Sequence, residues 1–240
     1  MAELRIDDLQ YALDNSGKNQ PSQVNMKKLF SQMYGYAVVH DICTQNQKDK
    51  LHYLEINAGN PNSIERHIFT ESELEALWNN YKDYEYSEVI LMLIYTGCRI
   101  SELLNLKKEN VNMNEKYFDI TASKTSNGIR RIPICDKIYP FFESWYSKDS
   151  EYLLSYNGKK VSYDRIYRHK TSYWHTALKA LDIDYHTPHD TRHTFATLLT
   201  EAEIDQRIVN SLLGHSGDSL AESVYTHLGL KKLSEAINKI

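Results

Sequence analysis

No apolar run in this sequence approaches the ~20 residues that a bilayer span requires. The longest, Val89 to Ile94, reads as a segment of a buried helix. The N-terminus lacks a basic segment followed by an apolar core, which excludes a secretory signal. Cysteine is scarce and odd in number: Cys43, Cys98 and Cys135 are widely spaced and form no CxxC pair. That excludes a disulfide framework and points to a reducing cytosol. Repeats and low-complexity segments are missing too. So is an excess of positive charge, since 28 Lys and Arg face 32 Asp and Glu for a net charge of −4. The total argues mildly against a nucleic-acid partner, but its distribution does not. Residues 71–120 carry 5 basic and 10 acidic side chains, whereas residues 121–193 carry 12 basic and 8 acidic. A polyanion responds to a local basic face, so DNA stays open as a partner.

At 240 residues the chain has room for one or two domains and for a buried core. Leu4 to Leu13 predicts a short helix and Gly17 to Pro21 a turn. From Ser22, the apolar positions Met26, Leu29, Phe30, Met33 and Ala37 follow helical spacing. The polar stretch from Thr44 to Ser63, with Asn-Ala-Gly-Asn-Pro-Asn near its end, is the expected linker. Domains are therefore expected at 1–63 and 64–240. Thr70 followed by Glu73 is a capping-box signature for a helix through about Trp78. Ser87 to Tyr95 predicts a helix that ends at Gly97, and Ile100 to Leu106 another. Between Val111 and Ile134 the period changes. Tyr117, Phe118 and Ile120, then Ile129, Ile132 and Ile134, flank a polar Lys-Thr-Ser-Asn-Gly stretch, which predicts a β-hairpin turning at Asn127-Gly128. The rest reads as short helices, one with the apolar stripe Phe195, Leu198, Leu199 and Ala202. The expected fold is mainly α with a small antiparallel β-sheet (α+β), preceded by a small helical lobe.

The residues suited to chemistry fall in the larger domain. His189-Asp-Thr-Arg192-His193 places His189 and Arg192 at i and i+3, on one helix face, and Pro188 suits a helix's first turn. Upstream lies Tyr95-Thr96-Gly97-Cys98-Arg99-Ile100-Ser101-Glu102-Leu103. Downstream come Leu213-Gly214-His215-Ser216 and Val224-Tyr225-Thr226-His227. Breaking a phosphodiester needs a nucleophile, positive charge on the non-bridging oxygens, and an acid for the leaving oxygen. Tyrosine suits a reversible nicking step, because its phosphodiester stores the energy of the bond broken and no nucleotide cofactor is required. Arginine suits the clamp, because its planar fork gives bidentate contacts to phosphate and stays charged.

In that order, from about Phe69 to His227, these segments resemble the tyrosine recombinase (phage integrase) family. Its pattern is Thr-Gly-x-Arg-x-Ser-Glu-Leu, a lysine on a β-hairpin, His-x-x-Arg-His, Leu-Gly-His, and then a tyrosine. The resemblance implies that Arg99 and Arg192 clamp the scissile phosphate and that Lys124 protonates the departing 5′-oxygen. It implies that His189 is the general acid/base, that His215 hydrogen-bonds a non-bridging oxygen, and that Tyr225 attacks to give a 3′-phosphotyrosyl link. Glu102 is expected to orient Arg99 from one turn away. The expected activity is DNA cleavage and strand exchange that integrates or excises a mobile element in the cytoplasm, at the nucleoid, with no metal or other cofactor. Two positions depart from the pattern: the step of ten from His215 to Tyr225 is one longer than in many members, and Thr191 stands where an apolar residue is usual.

Taken singly, each residue has a blander reading. Arg99 with Glu102 is a common surface pair, Lys124 sits in a plausible solvated turn, and His189 and His215 are ordinary partly buried histidines. Six required residues in order outweigh these. A zinc hydrolase is the rival enzyme, with His189 and His193 at i and i+4 and His215 as third ligand. It fails at Asp190, where that motif needs glutamate. A DNA-binding accessory protein with a dead site is the non-enzyme rival, and a type IB topoisomerase shares the chemistry. Residues 7–46, Lys27 to Asn46 above all, resemble the last helices of the family's DNA-clamping core-binding domain, which is expected to be incomplete here. After Tyr225, Leu230, Leu233, Ile237 and Ile240 mark one apolar helix face. That face either packs on its own domain or, as the resemblance favours, docks on a neighbouring protomer of a homotetramer on DNA.

Overall fold

The computed structural model describes residues 4–59, 67–122, 128–214 and 229–240. The chain divides into two compact units, Met1–Glu65 and Arg66–Ile240. The first is helical. Helix α1 (Ile6–Asp14) and helix α2 (Gln20–Val39) are followed by the short α3 (Gln45–Asp49), which runs into a single 3₁₀ turn (Lys50–Tyr53). Their core is Leu9, Leu13, Tyr34, Leu51 and Leu54, with Met26 and Phe30 packed against it. Two sequence readings change here. Thr44 is a helix cap, its side chain accepting the Gln47 N–H at 3.3 Å while Gln47 accepts the Thr44 N–H at 2.8 Å. Leu51 and Leu54 then anchor the polar stretch in the core, so the expected linker is part of the unit at least to Leu54. On α2 the helical spacing is right, but Leu29 and Met33 are 52% and 43% exposed, because the stripe is wider than the face the unit covers.

The second unit is mainly helical round a small antiparallel sheet. Helix α4 (Glu71–Asn80) begins at Thr70, whose side chain accepts the Glu73 N–H at 3.3 Å while Glu73 accepts the Thr70 N–H at 2.7 Å. Helix α5 (Glu88–Thr96) lies at the centre. Every side chain from Val89 to Ile94 is buried to within 1%, each contributing about 1.5–3 kcal/mol of transfer free energy. A helix apolar all round needs neighbours on all sides; α4 and the later α9 (Pro188–Glu201) supply two of them. Helix α6 (Ile100–Leu104) follows directly.

Strands β1 (Val111–Asn112), β2 (Tyr117–Ile120) and β3 (Arg130–Pro133) form the sheet in chain order. The register pairs Phe118 with Ile132 and Ile120 with Arg130, so the connection spans 121–129. Asn127, the first residue of the expected Asn127-Gly128 turn, lies outside the described residues. Helix α7 (Tyr139–Tyr146) leads to a second hairpin, β4 (Ser155–Tyr156) and β5 (Lys159–Lys160). Here an Asn-Gly pair turns the chain, with φ of 50° at Asn157 and 72° at Gly158, as a type I′ turn requires. Helices α8 (Tyr173–Ala180), α9, α10 (Gln206–Leu213) and α11 (Leu230–Ile237) complete the unit. Of the two fates open to the terminal helix, the single chain shows packing on its own unit. Leu233, Ala236, Ile237 and Ile240 are buried, with α11 against β3 and α10.

Candidate active site

Gly97 ends α5 in the left-handed region at φ +60°, and a Cβ there would lie 2.1 Å from the Phe195 ring. Only glycine allows this turn and this approach, and the contact sets α9 against the end of α5. Arg192, one turn after His189 on α9, is thereby brought to two helix ends. Its Nη1 donates to the Gly97 carbonyl at 2.8 Å and its Nη2 to the Leu213 carbonyl at the end of α10. Carbonyls at helix C-termini carry partial negative charge and favour a cation. Arg192 is only 4% exposed. Burial, with Arg130 and Arg99 alongside, lowers its pKa to about 10, so it stays protonated at neutral pH. Thr191 beside it is fully buried and donates its hydroxyl to the Pro188 carbonyl at 2.8 Å, which accounts for a polar residue at an apolar position.

Arg99 precedes α6. Its Nη1 donates to Glu102 Oε1 at 2.7 Å, and its side chain remains 43% exposed, whereas that of Glu102 is 6% exposed. Glu102 Oε2 also accepts the Arg99 backbone N–H at 2.8 Å. Burial pushes the Glu102 carboxyl up, but Arg130 and Arg99 together outweigh it and hold the group below the usual range.

Arg130 was not singled out in the sequence. From β3 it donates Nη2 to Glu102 Oε2 at 2.9 Å, Nη1 to Glu102 Oε1 at 3.2 Å and to the Gly128 carbonyl at 2.9 Å, and Nε to the Leu212 carbonyl at 2.7 Å. The available signal was strand alternation. Ile132 and Ile134 are buried, so Arg130 shares their face, while Ile129 (57% exposed) lies on the other. An arginine on a core face calls for a carboxylate.

His189 is exposed on the first turn of α9, its ring edge-on to that of His193 at 4.6 Å between centroids. Asp190 turns the other way, accepting the Thr187 N–H at 2.6 Å and hydroxyl at 2.9 Å as a helix cap. That carboxylate is unsuited to activate a metal-bound water beside the two histidines. Among the described residues, no three His, Cys, Asp or Glu side chains gather as a metal site. Lys124, His215 (the third ligand of a zinc reading) and Tyr225 lie outside the described residues. The site as described is thus a positive floor, three guanidinium groups and one carboxylate, suited to an anion with several oxygens.

Among the described residues no helix is long and apolar enough to cross a membrane. The phage integrase family model matches residues 67–231. Tyrosine recombinase XerA of Pyrococcus furiosus is 33% identical over 180 residues, which is 71% of this chain and 60% of that protein. A tyrosine recombinase of Thermosipho africanus is 24% identical over 230 residues, 92% of this chain and 77% of that one. The chain thus spans about 60% of the length of the XerA relative. In fold it is similar to the Tn1549 transposon integrase solved with a circular intermediate DNA (TM-score 0.72, 18% identity, 97% of this chain and 84% of that one). It is similar also to lambda integrase, solved as a tetramer on a Holliday junction (TM-score 0.67, 17% identity, 92% of this chain and 66% of that one).

Proposed function

The chain belongs to the phage integrase family, and from that premise we propose that it is a site-specific DNA recombinase. It cleaves and rejoins duplex DNA through a 3′-phosphotyrosyl intermediate and integrates or excises a mobile element. The observation that supports this most is the cluster of Arg99, Arg192 and Arg130 round the single carboxylate of Glu102. Such a surplus of fixed cations stabilises charge growing on the non-bridging oxygens of a phosphate under attack.

In this reading Arg99, half-exposed, meets the phosphate from one side. Arg192, fixed by two helix-end carbonyls, meets it from the floor. Tyr225 supplies the nucleophilic oxygen and becomes joined to the 3′ phosphate; Lys124 gives its proton to the 5′ oxygen that leaves. His189 handles the tyrosine's proton, and His215 hydrogen-bonds a non-bridging oxygen. The phosphotyrosyl bond conserves the energy of the bond broken, so neither metal nor nucleotide enters. DNA as substrate and assembly into a homotetramer draw support from the Tn1549 and lambda integrase structures. Assembly proceeds by release of α11 from its own unit to dock on a neighbouring protomer. Residues 1–63 act as a DNA-clamping lobe and residues 64–240 as the catalytic domain, working in the cytoplasm at the nucleoid.

The test is to incubate the intact chain with a pool of nicked duplexes in EDTA and to look for denaturant-resistant protein–DNA adducts. The expected result is an adduct carrying a DNA 3′ end of defined sequence. DNA binding without any adduct would indicate an accessory DNA-binding protein instead, and an adduct that requires metal would contradict the mechanism.

A further inference from the structure

Arg130 is bound on every side by the protein, whereas Arg99 is open to solvent, and the difference assigns the two arginines different work. We propose that Arg130 is a positioning residue: it serves as the counter-charge of Glu102 and so leaves Arg99 available to the scissile phosphate. This rests on the reading of the cluster as a phosphate clamp.

Glu102 is 6% exposed. A carboxylate removed from water this far has to be matched by cations and donors. Its two oxygens receive Arg99 Nη1 at 2.7 Å, the Arg99 N–H at 2.8 Å, and Arg130 Nη1 and Nη2 at 3.2 and 2.9 Å. Without Arg130 the only guanidinium hydrogen-bonded to Glu102 among those described would be that of Arg99, and an incoming phosphate would have to compete with a buried carboxylate for it. The formal charge of the group would fall from +2 (Arg99, Arg130 and Arg192 against Glu102) to +1. Arg130 itself gives its remaining contacts to the Leu212 and Gly128 carbonyls, and its side chain is 6% exposed. It therefore acts on the phosphate through Glu102 rather than by touch. The same side chain ties β3 to α6 and to the end of α10, whose next carbonyl, that of Leu213, receives Arg192. One buried arginine thus sets the charge balance of one clamp residue and steadies the backbone that holds the other.

The experiment titrates the intact chain with inorganic phosphate at low ionic strength. Arg130→Met should weaken binding about tenfold or more, as expected for a cation lost near an anion at intermediate dielectric. Adding Glu102→Gln to that variant should bring binding back to within about threefold of the native chain, a non-additive recovery that a purely structural tie does not give. Arg130→Lys, which keeps the charge and gives up the fork, should also stay within about threefold, and it carries the test if the methionine variant does not fold. A double variant no better than Arg130→Met, or a lysine variant as weak as methionine, would overturn the proposal. So would a native chain that binds no phosphate. Phosphate binding needs no tyrosine chemistry, so this pattern combined with no adduct on nicked duplexes would retire the recombinase reading and leave the pairing of Arg130 with Glu102 standing.

Discussion

Arg192 makes the heaviest demand on its surroundings of any side chain at the site. A guanidinium that is 4% exposed is kept charged by two carbonyls at helix ends and by the Glu102 carboxylate, against the repulsion of two other arginines. A lysine there keeps the charge but cannot reach the Gly97 and Leu213 carbonyls and a phosphate together. Arg192→Lys should therefore slow the cleavage step about 100-fold or more, as for the loss of an oxyanion donor. It should also lower stability by about 1–3 kcal/mol through the abandoned carbonyls, with the helical circular dichroism unchanged. A native cleavage rate in this variant would mean that Arg192 serves the fold and not the phosphate. The contrast with Arg130 shows what a sequence discloses at this scale. Arg99, Glu102, His189 and Arg192 are legible because their spacing within one segment is a pattern. Arg130 sits in the pair Arg130-Arg131, which reads as exposed charge until the register of β3 decides which of the two faces inward.

Helices were legible wherever a cap marked an end: Thr70 with Glu73 before α4, Gly97 after α5, Pro188 at the start of α9. Turns were less so. Asn157-Gly158, a tight turn in the structure, was not singled out, because the two strands that it joins are only two residues long each. Gly97 was readable as a helix end but not as a packing site, because its closeness to Phe195 depends on an element about a hundred residues away. Gly97→Ala combines left-handed strain with a Cβ 2.1 Å from that ring, and should destabilise by about 3 kcal/mol or more. Gly158→Ala, where the nearest atom would be 3.6 Å away, should cost only about 1 kcal/mol. Denaturant unfolding of the two variants side by side checks the difference. Equal losses would mean that α5 and α9 do not meet as closely as this.

At the scale of the whole molecule, a net charge of −4 coexists with a site whose formal charge is positive, so the proposed affinity for DNA would depend on a local face. In the proposed reading, assembly depends on α11. Its apolar stripe was legible, but its partner was not, since a stripe records that a helix is covered and not by what. In the single chain, Leu233, Ala236, Ile237 and Ile240 cover β3 and α10. Deleting residues 229–240 should lower the melting temperature while leaving a folded chain that binds one site and forms no higher-order complexes on paired sites, as native gels and light scattering would register. Full assembly by the truncated chain would make α11 a cap for its own unit and nothing more. The central claim, covalent chemistry at Tyr225, is tested most directly by digesting the adduct formed on nicked duplex and finding which peptide carries the nucleotide. The account predicts a phosphodiester to the hydroxyl of Tyr225, and no adduct from Tyr225→Phe although that variant still binds DNA. An adduct on any other residue, or one that persists in the phenylalanine variant, would contradict it.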